Sequence, residues 1–267
     1  MLGWIFVTLS RIAPLKKALW RAWYQYLASA HRAPEWTFMN YGYGGSDLRP
    51  LDLAASDEPD RNYIQLYNHV AGAIDLTGLT VLEIGSGRGG GASFIKRYLH
   101  PAKMIGADLS PNAVDFSRAV HNAAGLEFRT ADAENLPFEA ESFDAVVNVE
   151  SSHCYPSFEA FVSEVRRVLR PGGHFLYADF RDRSGVEAWR NALQKSGLTS
   201  VRETDITPNV LAALDKDDER KLGLINKLIP RPLRRSFRDF AAVRGSLIYE
   251  AFRNGKLAYM SFVLRKA

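Results

Sequence analysis

From Thr80 onward, short apolar runs alternate with stretches of helical periodicity. TVLEIG reads as a buried strand and GGASFIKRYL as a helix starting at the glycines. KMIGADL is a second strand. SPNAVDFSRAVHNA is a helix with Ser110 as N-cap and Pro111 at its first position. LEFRTAD and FDAVVNVE are the third and fourth strands; FEAFVSEVRRVL is a helix stopped by RPGG, and HFLYADF is the fifth strand. Repeated β-α units with short connections predict an α/β fold with a doubly wound, mostly parallel sheet. Beyond Arg181 the pattern predicts a helix (GVEAWRNALQKSG), a strand (TSVRETDIT) and a long charged helix (PNVLAALDKDDERKLGLINKLI). An Asn-Gly turn in RNGK then precedes a last β-rich run, LAYMSFVL.

Residues 1–75 read as a helical and loop cap on an α/β unit over 76–267, with a lid-like helical insertion at about 207–240. In the cap, Leu15, Leu19, Trp20, Trp23 and Leu27 recur at helical spacing among Lys16, Lys17 and Arg21. That is an amphipathic basic helix, packed on the domain or lying on a membrane surface as a peripheral contact. The apolar run Leu2 to Leu9 lacks a preceding basic region and a cleavage site, so it does not read as a signal peptide. Arg11, Pro14, Lys16 and Lys17 interrupt it before it could span a bilayer.

At 267 residues the chain has room for one α/β domain and a modest addition. Its lone cysteine, Cys154, excludes an internal disulfide and a cysteine zinc site and suits a cytoplasmic protein. No metal site is expected. A net charge of +4 is too small to argue for nucleic acid.

Chemistry concentrates at VLEIGSGRGGGASF. Gly85, Gly87 and Gly90 fit the dinucleotide fingerprint, which would make the protein an NAD-dependent oxidoreductase. Glu83 followed by Gly85, Gly87 and Gly89 instead fits a loop for S-adenosylmethionine (SAM). Asp108 ends the second strand where a ribose-binding acid belongs, and both cofactors carry a ribose. Asp132 follows the third strand, where its carboxylate could accept the exocyclic amine of adenine, with the Ala133 N–H for a ring nitrogen. Phe138 is expected as an apolar wall. No Tyr/Lys pair for hydride transfer stands near the fifth strand. A pyrophosphate would also be repelled by Glu83, whereas a sulfonium and an ammonium would be attracted.

VLEIGSGRGG, GADLSP, DAENLPFEAESFD and EVRRVLRPGG together resemble the ordered motifs of class I SAM-dependent methyltransferases, from about Asn62 to Phe180. The resemblance implies a Rossmann-like sheet of seven strands with an antiparallel strand near its edge. It implies that Glu83, Gly85, Ser86, Gly87 and Gly89 surround the methionine end of SAM. Asp108 would hold the ribose hydroxyls, Asp132 and Ala133 would meet the adenine, and Leu109 and Asn148 would complete the cofactor set.

Methyl transfer to a hydroxyl needs a base near the ends of the fourth and fifth strands. His153 lies just past the fourth strand and Asp179 ends the fifth, a base and an orienting partner. The plainer alternatives are a packing imidazole and an Asp paired with Arg181 or Arg183. Cys154 is read as packing, on the ground that neighbours in an extended chain point apart. RPLDLAASDEPDRNYIQLY, NVESSHCYP and RVLRPGGHFLYADFR resemble a narrower group, the O-methyltransferases of complex lipids, of phthiotriolone dimycocerosate and fatty-acid type. That implies a lipid hydroxyl or carboxyl as acceptor. A sugar or small-molecule O-methyltransferase and a C-methyltransferase stay open. Tyr41 and Tyr43, in the NYGYGG loop with Asn40, and Tyr155 are candidates for the acceptor side and its lid. Arg231, Arg234, Arg235 and Arg238 form a basic cluster around Leu233 and Phe237, read as a solvated helix face or a contact for an anionic lipid surface.

Overall fold

The computed structural model describes residues 36–46, 48 and 51–267. The amphipathic helix expected from Leu15 and the apolar run before it lie outside the described residues. A strap, residues 36–46, leads to helix α1 (Arg61–Ala71). The alternating part comprises β1 (Thr80–Ile84), α2 (Gly90–Tyr98), β2 (Lys103–Asp108), α3 (Pro111–Val120) and β3 (Leu126–Thr130). It continues through β4 (Phe143–Val149), α4 (Phe158–Val168), β5 (Leu169–Asp182), α5 (Val186–Lys195) and β6 (Leu198–Asp205). Three helices, α6 (Thr207–Leu228), α7 (Arg234–Phe240) and α8 (Leu247–Arg253), separate β6 from β7 (Leu257–Lys266).

The seven strands make one sheet in the order β3-β2-β1-β4-β5-β7-β6. Strands β1 to β5 pair in parallel, and β7 runs antiparallel to β5 and β6. The apolar LAYMSFVL run thus enters the sheet, while the mostly exposed β6 takes the edge. A polar edge strand satisfies its outer backbone groups with water and blocks pairing with other chains. The order in which strands are added reverses between the parallel neighbours β1 and β4, so a crevice opens above their C-terminal ends.

Both faces of the sheet are covered. Ile64, Leu66 and Val70 of α1 and Phe94 of α2 pack on one face. Phe161 and Val165 of α4 and Trp189 of α5 cover Phe175, Tyr177 and Phe262 on the other. Burial of each such side chain is worth roughly 1.5–3 kcal/mol, so these two layers fix the strand ends on which the site is built. Ser110 caps α3 as expected, its Oγ accepting from the Ala113 N–H at 3.3 Å. RPGG differs from expectation: β5 already starts at Leu169, opposite Phe143, and regains register at His174 opposite Ala145. The glycines therefore make an irregularity inside the strand instead of a separate loop.

Candidate active site

The glycine loop turns sharply out of β1. Gly85, Gly87 and Gly89 have φ of 74°, 52° and 81°. A Cβ on Gly85 would lie 2.3 Å from Ser151 Oγ, so both the backbone angle and the space require glycine there. At the end of β2, Asp108 ties this loop down. Its Oδ2 accepts from the Gly87 N–H at 2.8 Å and its Oδ1 from the Ser110 N–H at 2.9 Å. Burial raises its pKa against the lowering effect of those two bonds. Each carboxylate oxygen retains a second lone pair for a ligand hydroxyl. Leu109, between these residues, is half-buried.

Glu83 is fully buried, and its Oε1 accepts from the Tyr67 hydroxyl at 2.7 Å. Oε2 has no partner, and neither have the buried Ser86 Oγ and Asn148 Oδ1. Burial lifts the Glu83 pKa to about 7. Asn148 Nδ2 donates to the Ile84 carbonyl at 2.8 Å, so β4 holds the start of the loop. Tyr155 belongs to this same side: its hydroxyl is 2.9 Å from Ser151 Oγ and 3.2 Å from Asn148 Nδ2. Asp132 sits two residues past β3, its Oδ1 accepting from the Glu134 N–H at 3.1 Å, with Ala133 buried beside it. Phe138 does not form the expected wall. Its ring packs edge-on at 5.2 Å against Phe143, the first residue of β4, because the turn carries it toward the other end of that strand.

The chain after β4 folds into a 3-10 turn, Ser152–Cys154. This brings His153 over Asp179 of β5: Nδ1 lies 2.8 Å from Asp179 Oδ1, and the His153 N–H donates to Oδ2 at 2.9 Å. Ser152 Oγ donates to the same Oδ2 at 2.6 Å, and Arg181 pairs with it at 3.2 Å. Both partners foreseen for Asp179, His153 and Arg181, therefore engage it together; Arg183 instead pairs with Asp205 at 3.1 Å. Burial of Asp179 would raise its pKa, but the charges of His153 and Arg181 outweigh it and hold the carboxyl well below the usual range. For His153, burial works against protonation, and the neighbouring Cys154 sulfur and the Asp179 carboxylate bonded to Nδ1 overcome it, taking the pKa to about 10. The 3-10 turn also corrects the reading of Cys154. The chain is not extended there, so the buried thiol is near enough to act on the imidazole.

The sequence pattern did not single out Glu150, the residue that joins these parts. It follows β4 with φ of 51°, a conformation that costs a non-glycine residue free energy and recurs at functional sites. Its Oε2 accepts from the Tyr41 N–H at 2.8 Å and the Tyr259 hydroxyl at 2.9 Å. Burial raises its pKa to about 8. The only signal in the sequence was an acid at the end of the fourth strand. Glu150 latches the strap: Tyr41 is held to β4, and its ring packs at 5.6 Å on Phe180, whose own ring lies 4.5 Å from His153. Tyr43 goes elsewhere. Its ring stacks at 4.5 Å on His69 of α1, because its N–H is tied to the Asn62 carbonyl. This turns it away from Phe180 and His153, beside which Tyr41 lies.

Between strap and insertion lies a cavity of about 180 Å³, lined largely by Trp36, Phe38, Tyr41, Ile225, Phe237 and Phe240. Neither His153 nor Glu83 lines it; Tyr41 is the link to the crevice. Of the predicted basic cluster, Phe237 faces the cavity, and Arg234 caps α6 by donating to the Ile229 and Asn226 carbonyls at 2.9 and 2.6 Å. No helix among the described residues is long and apolar enough to cross a membrane.

A strand-order reversal over β1 and β4, combined with a glycine loop flanked by the carboxyls of Glu83 and Asp108, is the arrangement of a class I methyltransferase. Residues 82–177 match the methyltransferase-domain family. The chain is 40% identical over 250 residues to phthiotriol/phenolphthiotriol dimycocerosates methyltransferase of Mycobacterium leprae, covering 94% of this chain and 93% of that one. It is 39% identical over 243 residues to fatty-acid O-methyltransferase of Mycolicibacterium smegmatis, covering 91% and 88%. The fold is shared with a putative sarcosine dimethylglycine methyltransferase from Galdieria sulphuraria (TM-score 0.70, 16% identity, 86% and 93% covered). The chain belongs to the family of SAM-dependent methyltransferases that includes the phthiotriol dimycocerosates and fatty-acid enzymes. Its cofactor is SAM.

The residues present suit that cofactor. Glu83 is a buried acid with an unpartnered oxygen, and Ser86 Oγ and Asn148 Oδ1 also lack donors. Such groups are costly unless a ligand supplies donors and positive charge. The raised carboxyls make this measurable. Glu83 and Glu150 bind their protons more tightly folded than unfolded, so each costs stability as pH rises from about 4.5 through about 7 and about 8. His153 acts in the same direction: its contribution is full below about 6.5 and is lost as pH rises through about 10. His69, lowered to about 4, and Lys221, lowered to about 8, have the opposite sense but act mainly outside the interval from about 6.5 to 8.5. The cofactor-free protein is expected to melt at a lower temperature at about pH 8.5 than at about 6.5, by roughly 2–4 °C per kcal/mol. SAM should add more to Tm at the higher pH. Differential scanning calorimetry checks both, and a Tm that rises with pH over this interval contradicts this balance of buried charges.

Proposed function

We propose that the protein transfers the methyl group of SAM to a hydroxyl, or a carboxyl, of a lipid or lipid-linked acceptor. The observation that carries this reading is the 2.8 Å pairing of His153 Nδ1 with Asp179 at the crevice edge. Bound SAM supplies an electrophilic methyl carbon on a sulfur that leaves as a neutral thioether. The chain's own residues do the rest. Nδ1–H donates to Asp179, which fixes the ring and leaves Nε2 as the nitrogen to take the acceptor's hydroxyl proton. Asp179, held low by Arg181, stays ionised and favours the imidazolium that forms. The apolar cavity beside Tyr41 supports a hydrocarbon acceptor, and the Glu150 latch keeps the strap across it. Family relatives named for dimycocerosates and fatty acids support the lipid class.

The test is incubation of the purified protein with methyl-labelled SAM and a lipid extract, followed by mass spectrometry. Label is expected as an ether or ester methyl on a lipid. Label on carbon, or only on water-soluble compounds, would overturn the proposal.

A further inference from the structure

The cavity under the strap contains one charged group that neither the cofactor crevice nor the His153–Asp179 pair employs. Lys221 of α6 is only 7% exposed and lines the cavity among its apolar and aromatic walls. Its ammonium has three N–H donors. One contact is with the Ala241 carbonyl at 3.2 Å, and the charge lies 5.9 and 5.8 Å from the Tyr41 and Tyr63 ring centres. The acids whose fields reach it are bonded elsewhere: Glu150 accepts from the Tyr41 N–H and the Tyr259 hydroxyl, and Asp218 from the Arg244 N–H. Asp217 is bound by the Tyr63 hydroxyl at 2.5 Å and by Arg220 at 2.7 Å, and Asp60 pairs with Arg220 at 3.3 Å. Among the described residues no carboxylate forms an ion pair with Lys221. Burial lowers its pKa to about 8, against the fields of Asp217 and Glu150, so at neutral pH it remains largely charged. A buried cation without a counter-ion is costly unless a ligand brings one.

Resting on the acceptor reading above, we propose that Lys221 receives the carboxylate of a long-chain acid whose alkyl chain lies along the apolar wall of the same cavity. Charge complementarity selects an anion, and the aromatic lining selects a hydrocarbon attached to it. A singly charged carboxylate suits the site better than a phosphate. Arg220, the other cation of the lining, is already bound to acids, and Asp60 adds a negative charge to the wall. A cavity of about 180 Å³ is smaller than pockets that enclose a whole ligand, which run roughly 300–1,000 Å³. It therefore takes the head and the first part of the chain. Lys221 is thus a specificity residue, distinct from the group that accepts the proton.

The test is binding, independent of turnover. The full-length protein is titrated with dodecanoate, dodecan-1-ol and dodecyl phosphate by calorimetry, as the unchanged chain and as Lys221→Met and Lys221→Arg. The unchanged chain should bind dodecanoate at least about tenfold more tightly than the alcohol, the effect expected of one charged hydrogen bond. Lys221→Met should bring that ratio to near one, and Lys221→Arg should retain most of it. SAM affinity, measured in the same samples, should be the same in all three proteins, which shows the variants are folded. Equal binding of acid and alcohol by the unchanged chain overturns the proposal. So does a preference that survives Lys221→Met, or tighter binding of the phosphate than of the carboxylate. Carboxylate binding in a protein that labels no lipid would leave this assignment standing while removing the proposed reaction.

Discussion

Replacing His153 with alanine is expected to lower kcat by roughly 10²–10⁴-fold, the usual contribution of a general base, with SAM affinity nearly unchanged. The separation follows from the geometry. His153 is bound to Asp179 on β5, whereas the loop and the acids Glu83 and Asp108 are held by β1, β2 and Tyr67. The pH dependence gives a second readout. Only neutral imidazole can take a proton, and in the cofactor-free protein the pKa of His153 stands near 10. For a hydroxyl acceptor, log kcat/KM should therefore climb with pH from neutrality. A sulfonium in the crevice repels the imidazolium, so kcat should inflect at a lower pH than kcat/KM. Asp179→Asn should move both inflections down, since it removes a carboxylate that holds the proton, and should slow turnover by releasing the ring. A His153→Ala enzyme with unimpaired kcat removes the residue from the mechanism.

Glu83→Gln should weaken SAM binding by roughly 10–100-fold, the range for a hydrogen bond to a charged group, yet make the cofactor-free protein more stable at alkaline pH. Glutamine has nearly the shape of glutamate, and its carbonyl oxygen can keep the 2.7 Å bond from Tyr67. What disappears is a fully buried negative charge whose pKa burial has raised to about 7. Above that pH the charge costs folding free energy, about 1.4 kcal/mol for each tenfold by which folding tightens its hold on the proton, and a cationic ligand recovers it. Calorimetric titration and thermal melts at about pH 8.5 should thus move in opposite directions. If SAM affinity is unchanged, Glu83 does not face the cofactor.

Local patterns in the chain were enough to predict the β-α alternation, the Ser110 cap, the glycine turn and the acids at the ends of the first two strands. Each depends on neighbours within a few residues: burial periodicity, a cap three residues away, or a left-handed angle that only glycine takes easily. The same locality explains why His153 and Asp179 could be named, because in a parallel sheet the C-terminal ends of adjacent strands meet by construction. What the sequence alone could not show were contacts between distant segments. Tyr41 and Glu150 are 109 residues apart, and nothing near either one signals the bond. Tyr43, two residues from Tyr41, turns to α1 because the strap is pinned to Asn62. Phe138 was misplaced because the length of a turn does not reveal which end of the next strand it returns to. Lys221 lies on a long charged helix that reads as solvent-facing; it becomes a buried cation only when α6 packs beneath the strap and beside Tyr41 and Tyr63. Periodicity thus determined the scaffold and the acids at its strand ends, while tertiary packing decided which side chains line the cavity under the strap, since burial is set by elements far apart in the chain.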